Sequence, residues 1–521
     1  MLRLITTPVL LLIAAAPHAA AAAAAAVAST SSRHTYSLDG HRFPSDFIYG
    51  CGTSAYQIEG AWNEDGKGVS IWDKFAHDKG KQHIKNDETG DVAMDFYHTY
   101  ARDIPRFAES LGTNNYDFTL AWTRILPNGG TKAKPNQKGI DFYRRVAHAT
   151  HRAGLSTSCT LYHWDMPQAL EDAYGGWLSE KVVDDFRHYA RVTIGALGDV
   201  CDRWISMNEP RTFCTEGFGP ETDSAPGVKG PIEYRYRCMH HALLAHAAAH
   251  EVFKDLKKKG RARGTFGIKI DGQPAKPLHK NKEADKEAAL RHMEFEIGWD
   301  LAPLTTGDYP ALMRRVMGDA LPRFTPAQST ALRDSYDIIW WDVYTSTYAG
   351  ALEGTCDRTN EAWPVCVEET NDGPDGKPIG KPTGSSWNFL VDDTIYQGMR
   401  YMRDRWGAKA LAIGENGMGL YQRERLSLAQ QLNDKDRIEW YNSTLHNVKR
   451  LLDEEPAFPL KAFVPWSCMS NLEWSGGYEI DFGLIYTTPG KNQRRIPKAS
   501  ARYLREVLTG RRRSMDVNVV R

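Results

Sequence analysis

The chain has 521 residues, 41% of them apolar, enough for a large buried core. Its 65 basic and 65 acidic residues cancel, so no net field favours nucleic acid or an anionic membrane as a partner. The basic runs at 257–259 and 511–513 read as a solvated helix end and a frayed tail.

The N-terminus begins Met1-Leu2-Arg3, runs apolar over 4–16 and continues alanine-rich to Ala28. A short basic start, a hydrophobic centre and small residues for cleavage describe a secretory signal peptide over 1–28, then a spacer over 29–42. The alternative is an uncleaved membrane anchor, since the stretch is long enough to span a bilayer. Pro17 and His18 interrupt it and favour cleavage. The expectation is a secreted, extracellular protein with one domain over 43–508 and a basic tail over 509–521.

Strand-like apolar runs recur at 47–50, 116–120, 156–161, 204–207, 264–270, 338–344, 408–414 and 462–467. Between them lie helical patterns such as 92–111, 140–153, 181–197, 233–258, 326–332 and 432–452. This alternation, with no linker, predicts an α/β fold: a single (β/α)8 TIM barrel with extended βα loops. Active sites of such barrels lie at the carboxyl ends of the strands.

Eight cysteines show no Cys-x-x-Cys metal spacing and are too sparse for a disulfide scaffold. Cys356 and Cys366 bracket a polar loop and are the best disulfide candidates; Cys201 and Cys214 are also placed to pair. Cys51, Cys159 and Cys468 lie in strand-like segments and read as small buried hydrophobes. Asn442-Ser443-Thr444 is a candidate glycosylation site. No metal or cofactor is expected.

Two short acidic peptides carry the chemistry: Ser206-Met207-Asn208-Glu209-Pro210 and Ile413-Gly414-Glu415-Asn416-Gly417. Each sets a glutamate just after an apolar run, where a strand end can hold it rigid and partly dehydrated. Two facing carboxylates are the equipment for cleaving a glycosidic bond. Around them stand Ala55-Tyr56-Gln57-Ile58-Glu59-Gly60, Leu161-Tyr162-His163-Trp164-Asp165, Pro465-Trp466-Ser467 and Asn471-Leu472-Glu473-Trp474. In this order, over about 43–508, the motifs resemble glycoside hydrolase family 1, the retaining β-glucosidases.

The resemblance implies a retaining β-glycosidase acting on terminal β-D-glucosyl residues through a covalent glycosyl-enzyme. It makes Glu209 the general acid/base, Glu415 the nucleophile and Tyr344 a phenol donor to that nucleophile. Asn208 would bond the sugar's 2-hydroxyl; Gln57, His163, Glu473 and Trp474 would hold other hydroxyls; Trp466 would floor the sugar; Phe482 would border its primary hydroxyl. The partner implied is a small-molecule or oligosaccharide β-glycoside, with no nucleic acid and no stable membrane partner.

Glu209 argues against the myrosinase subgroup, and Glu473 against 6-phospho-glycosidases, since a carboxylate there repels phosphate. Two positions depart from the family pattern. Asp117 stands where arginine is usual on strand two, and Asp342 stands where asparagine is usual two positions before Tyr344. A lost cation and added acids would raise the nucleophile's pKa unless another cation is near or Asp117 holds a proton. A silent sugar-binding barrel, or a transglycosidase, is therefore the alternative. Trp340 and Trp341 replace smaller residues, so a local displacement of strand six is also expected.

Overall fold

Each strand-like run is rich in residues that suit a pleated, buried surface, and each becomes a strand of one parallel sheet. The computed structural model describes residues 37–38, 41–78, 80–383, 387–421, 425–490 and 492–511. The expected signal segment and the tail beyond 511 lie outside the described residues. The strands are β1 (in two pieces, Ile48–Tyr49 and Gly52–Thr53), β2 (Asn115–Thr119), β3 (Ser156–Thr160), β4 (Arg203–Asn208), β5 (Thr265–Asp271), β6 (Ile338–Asp342), β7 (Leu411–Asn416) and β8 (Leu460–Pro465). The first piece of β1 pairs with β8 and the second with β2, so the parallel sheet closes on itself as the expected barrel.

Eight helices follow the strands: α1 (Phe96–Leu111), α2 (Gln137–Arg152), α3 (Lys181–Leu197), α4 (Glu233–Lys258), α5 (Glu283–Thr306), α6 (Thr394–Trp406), α7 (Lys435–Glu454) and α8 (Ala499–Leu508). The expected segment at 326–332 is helical, but α5 is the main crossover between β5 and β6. Its buried residues, from Asp285 to Leu304, leave no single apolar stripe, which is why periodicity does not reveal it. After β5 and β6 the loops are long enough to build a small three-stranded sheet from Ala275–Pro277, Thr347–Ala351 and Val367–Thr370.

Inside the barrel, Ile48, Ile205, Trp340, Ala412, Ala462 and Val464 form an apolar layer. Because the strands are parallel, residues further along each one lie nearer the mouth, and there the interior turns polar. The two tryptophans of β6 divide between the faces. Trp340 joins the inner layer, while the Trp341 Nε1 donates to the Gly272 carbonyl at 3.2 Å and its ring lies over Gly398 of α6. A Cβ at Gly398 would fall 2.0 Å from that ring, so the packing requires glycine. A register shift between Trp341 and Asp342, with the extra residue Gly414 on β7, sets Asp342 opposite Glu415. Gly414 makes room for it, since a Cβ there would meet the Asp342 Oδ1 at 2.5 Å.

All eight cysteines are paired: Cys51–Cys468, Cys159–Cys201, Cys214–Cys238 and Cys356–Cys366. The last is the expected bridge. Two readings need correction. Cys201 and Cys214 do not pair with one another, because Cys201 faces β3 and Cys214 faces α4. Cys51, Cys159 and Cys468 are buried but not free thiols; Cys51–Cys468 crosslinks the seam where the first and last strands meet. Sequence separation differs widely, 10 for Cys356–Cys366 against 417 for Cys51–Cys468. On the chain-entropy account, removing the first should cost about 2–3 kcal/mol at most, and the second about 6 kcal/mol. Melting of the Cys356→Ser and Cys51→Ser variants, with mass mapping of unreduced peptides, checks both the pairing and this order.

The sequon falls within α7, where Asn442 is half-buried and its Oδ1 accepts from the Tyr503 hydroxyl at 2.7 Å. A glycan there would have to displace this packing.

Candidate active site

Glu209 is the first residue after β4 and adopts a left-handed conformation, φ 47° and ψ 64°. Such a backbone in a non-glycine residue costs of order 1–3 kcal/mol and persists only where neighbours impose it. Its N–H donates to the Lys269 carbonyl at 3.0 Å, and Pro210 then begins a short helix, Pro210–Gly217. Glu415 lies on β7 itself. One carboxylate oxygen each from Glu209, Glu415 and Asp342 lie within 4.8 Å of one another. Such an approach suits a retaining pair, whose carboxyl groups stand about 5–5.5 Å apart.

Glu415 is held at both oxygens. The Tyr344 hydroxyl donates to Oε2 at 2.8 Å, and the Lys269 ammonium donates to Oε1 at 3.3 Å. With its amide nitrogen turned inward, Asn208 donates to Glu415 Oε1 and to Asp342 Oδ2, each at 3.1 Å. Lys269 also reaches Asp117 Oδ2 at 3.1 Å. Asp117 thus sits in the barrel mouth, tied to Glu415 through this lysine, which is the cation that its own presence calls for.

The two glutamates are pushed apart in the sense the chemistry needs. Burial, then the charges of Asp271, Glu415 and Asp342, raise the Glu209 carboxyl well above its ordinary range. Burial also raises Glu415, but Lys269 and the Tyr344 hydrogen bond oppose it. The opposing cation and phenol act on Glu415, so of the two carboxyls it is the one whose ionised form has direct partners. Burial, then the charge of Glu415, raises Asp342 well above its ordinary range.

The expected sugar-binding residues converge on one cleft of about 450 Å3, lined by His163, Asn208, Tyr344, Trp466, Glu473, Trp474 and Phe482 together with both glutamates. Gln57 is the exception. It is fully buried behind the wall, its Nε2 donating to the Leu472 carbonyl at 2.9 Å and to Glu473 Oε2 at 3.5 Å. His163 is kept neutral by burial and by the charge of Lys269, and its buried Nδ1 has no protein partner. Buried polar atoms are normally satisfied, so a hydroxyl from a ligand fits there. Burial, then Glu415, pushes Glu473 up to about 8, so it offers a proton as well as an acceptor oxygen.

Sequence reasoning missed Lys269, although a lone lysine within the predicted strand 264–270 was the available signal. It also missed Trp164 as a cleft residue. With φ 71°, Trp164 donates its Nε1 to the Asn208 carbonyl at 3.0 Å and stacks on Trp474 at 4.5 Å. Arg211 was missed too; it pairs with Asp271 and Glu296 and so neutralises the wall behind Glu209.

The profile of glycosyl hydrolase family 1 matches residues 40–512. Similar proteins include beta-glucosidase 24 of Oryza sativa subsp. japonica, 37% identical over 92% of this chain and 97% of that protein. Beta-glucosidase 42 of Arabidopsis thaliana is 37% identical over 90% of this chain and 94% of its own. Among solved structures, a family 1 β-glucosidase from the fungus Humicola insolens in complex with glucose superposes with a TM-score of 0.85 at 33% identity, covering 90% of this chain and 98% of that one. A rice β-glucosidase variant in a covalent complex with glucose gives 0.84 at 34% identity, covering 89% and 98%.

Proposed function

This chain belongs to glycosyl hydrolase family 1, and on that premise we propose that it is a β-glucosidase working by double displacement at Glu209 and Glu415. One observation carries the reading: the two carboxyls approach within 4.8 Å, and of the two it is Glu415 that the Lys269 ammonium and the Tyr344 hydroxyl hold. Glu415 attacks the anomeric carbon as the bond to the leaving oxygen breaks, and Glu209 gives its proton to that oxygen. Glu209, now ionised, takes a proton from water, whose oxygen displaces Glu415 and restores the original configuration. A rice relative captured in covalent complex with glucose is in keeping with such an intermediate.

His163 and Glu473 receive sugar hydroxyls, Gln57 sets Glu473 from behind, and Trp466 and Trp474 supply aromatic walls, with Phe482 beside Tyr344. Asn208 already points at Glu415, where a 2-hydroxyl would share its donor. The silent-binder alternative rested on Asp117 and Asp342, and Lys269 answers the charge they add. Export is part of the same reading. Four disulfides suit an oxidising compartment, and no helix among the described residues is long and apolar enough to cross a membrane.

The purified protein should hydrolyse a chromogenic β-glucoside, with β-glucose as the first sugar detected by NMR. Glucose binding without turnover, or α-glucose as the first product, would reject the proposal.

A further inference from the structure

The buried lysine of β5 is not among the residues that the family resemblance assigns to the site. Lys269 is 1% exposed and lies on the inner face of the barrel, past the apolar layer and directly under the cleft. Its ammonium is 3.1 Å from Asp117 Oδ2 on β2 and 3.3 Å from Glu415 Oε1 on β7. The same residue's carbonyl accepts the Glu209 N–H at 3.0 Å. One residue therefore touches the nucleophile with its side chain and the acid's backbone with its main chain. A buried ammonium is tolerated only when paired, and here both partners are acids that burial would otherwise push toward protonation.

Resting on the double-displacement reading above, we propose that Lys269 is a positioning residue that keeps Glu415 ionised and aimed at the anomeric carbon, with Asp117 anchoring Lys269 from β2. The groups facing Glu415 give this pairing its weight. Asp342 and Tyr344 face it from β6 and the loop beyond, Glu209 and Asn208 from the end of β4, Asp117 from β2, His163 from the loop after β3, and Glu473 from the loop after β8. Most are acids or hydrogen-bond donors, and the His163 imidazole is neutral. Lys269 is the cation in contact with Glu415 among the described residues. Asp117 is fixed in turn, with the Thr160 hydroxyl donating to its Oδ1 at 3.5 Å.

Charge arithmetic gives two variants effects of opposite sign. The acidic limb of kcat/KM reports ionisation of the nucleophile in the free enzyme. A substrate with an activated leaving group, dinitrophenyl β-glucoside, isolates it, because departure then needs no proton. Lys269→Met removes the cation, raises the Glu415 pKa and should move the limb up by about 1–3 pH units. Asp117→Asn removes an anion, leaves the ammonium to Glu415 alone and should move the limb down by up to about one unit. A merely structural lysine would change melting temperature in both variants while the limb stayed in place.

A well-folded Lys269→Met enzyme with the wild-type limb would overturn the inference, as would two variants shifting in the same direction. If Lys269→Met does not fold, Asp117→Asn decides alone: a lowered limb supports the assignment and an unmoved one rejects it. Wild-type activity separates the two claims. No hydrolysis by the wild-type protein defeats the double-displacement reading itself, whereas a normal wild-type rate with unmoved limbs defeats only the role of Lys269.

Discussion

Replacing Glu415 with alanine or glycine should lower hydrolysis on the order of 10^4-fold or more, the scale reached when a covalent machinery loses its nucleophile. The loss arises because both steps pass through the bond this carboxylate forms. The vacated space lies beside Tyr344, Lys269 and Asn208, three donors that remain in place and still favour a small anion. Azide supplied in solution should therefore partly restore turnover. It attacks the anomeric carbon from the face Glu415 occupied, while Glu209 still protonates the departing oxygen. A single displacement inverts configuration, so the product is the α-glucosyl azide. NMR of the product distinguishes the outcomes: near-normal rates without azide, or a β-azide, would show that Glu415 is not the nucleophile.

The family motifs were legible because they are short and local. Each sets a side chain within a residue or two of a strand end, and the barrel brings strand ends together whatever the loops do. Glu209, Glu415, His163 and Trp466 could be placed in one cleft for that reason. Gln57 shows the boundary of the method, since its segment gave its neighbourhood but not that Leu472 and Glu473 would claim its amide. Lys269 was harder still. Its meaning depends on Asp117, about 150 positions away on another strand of the barrel; Asp117 called for a nearby cation, but only the fold says which residue supplies it. The reading of Cys51 and Cys468 as unpaired failed for a related reason. Cys51 and Cys468 are 417 positions apart, and only closure of the barrel makes the first and last strands neighbours. Helix α5 escaped because burial on all sides erases the periodicity by which a surface helix is read.

Replacing Glu209 with alanine should give a loss that depends on the leaving group. Dinitrophenolate departs without a proton, so formation of the glycosyl-enzyme should be little affected for that substrate. A poorly activated aglycone, such as an alkyl alcohol or a second sugar, needs protonation and should lose about 10^2–10^4-fold in kcat/KM. The pH profile should change as well. Burial and the charges of Asp271, Glu415 and Asp342 raise the Glu209 pKa, so the wild-type enzyme keeps its acid to higher pH than an ordinary glutamate would and loses activity as pH climbs past the raised value. Without Glu209 this basic limb should disappear, while the acidic limb set by Glu415 and Lys269 remains. Azide offers the final contrast. In this variant Glu415 still forms the covalent intermediate, and azide then takes the place of water in the second displacement, giving the β-glucosyl azide. Equal losses on activated and unactivated substrates, or an α-azide, would remove Glu209 from the role of acid/base.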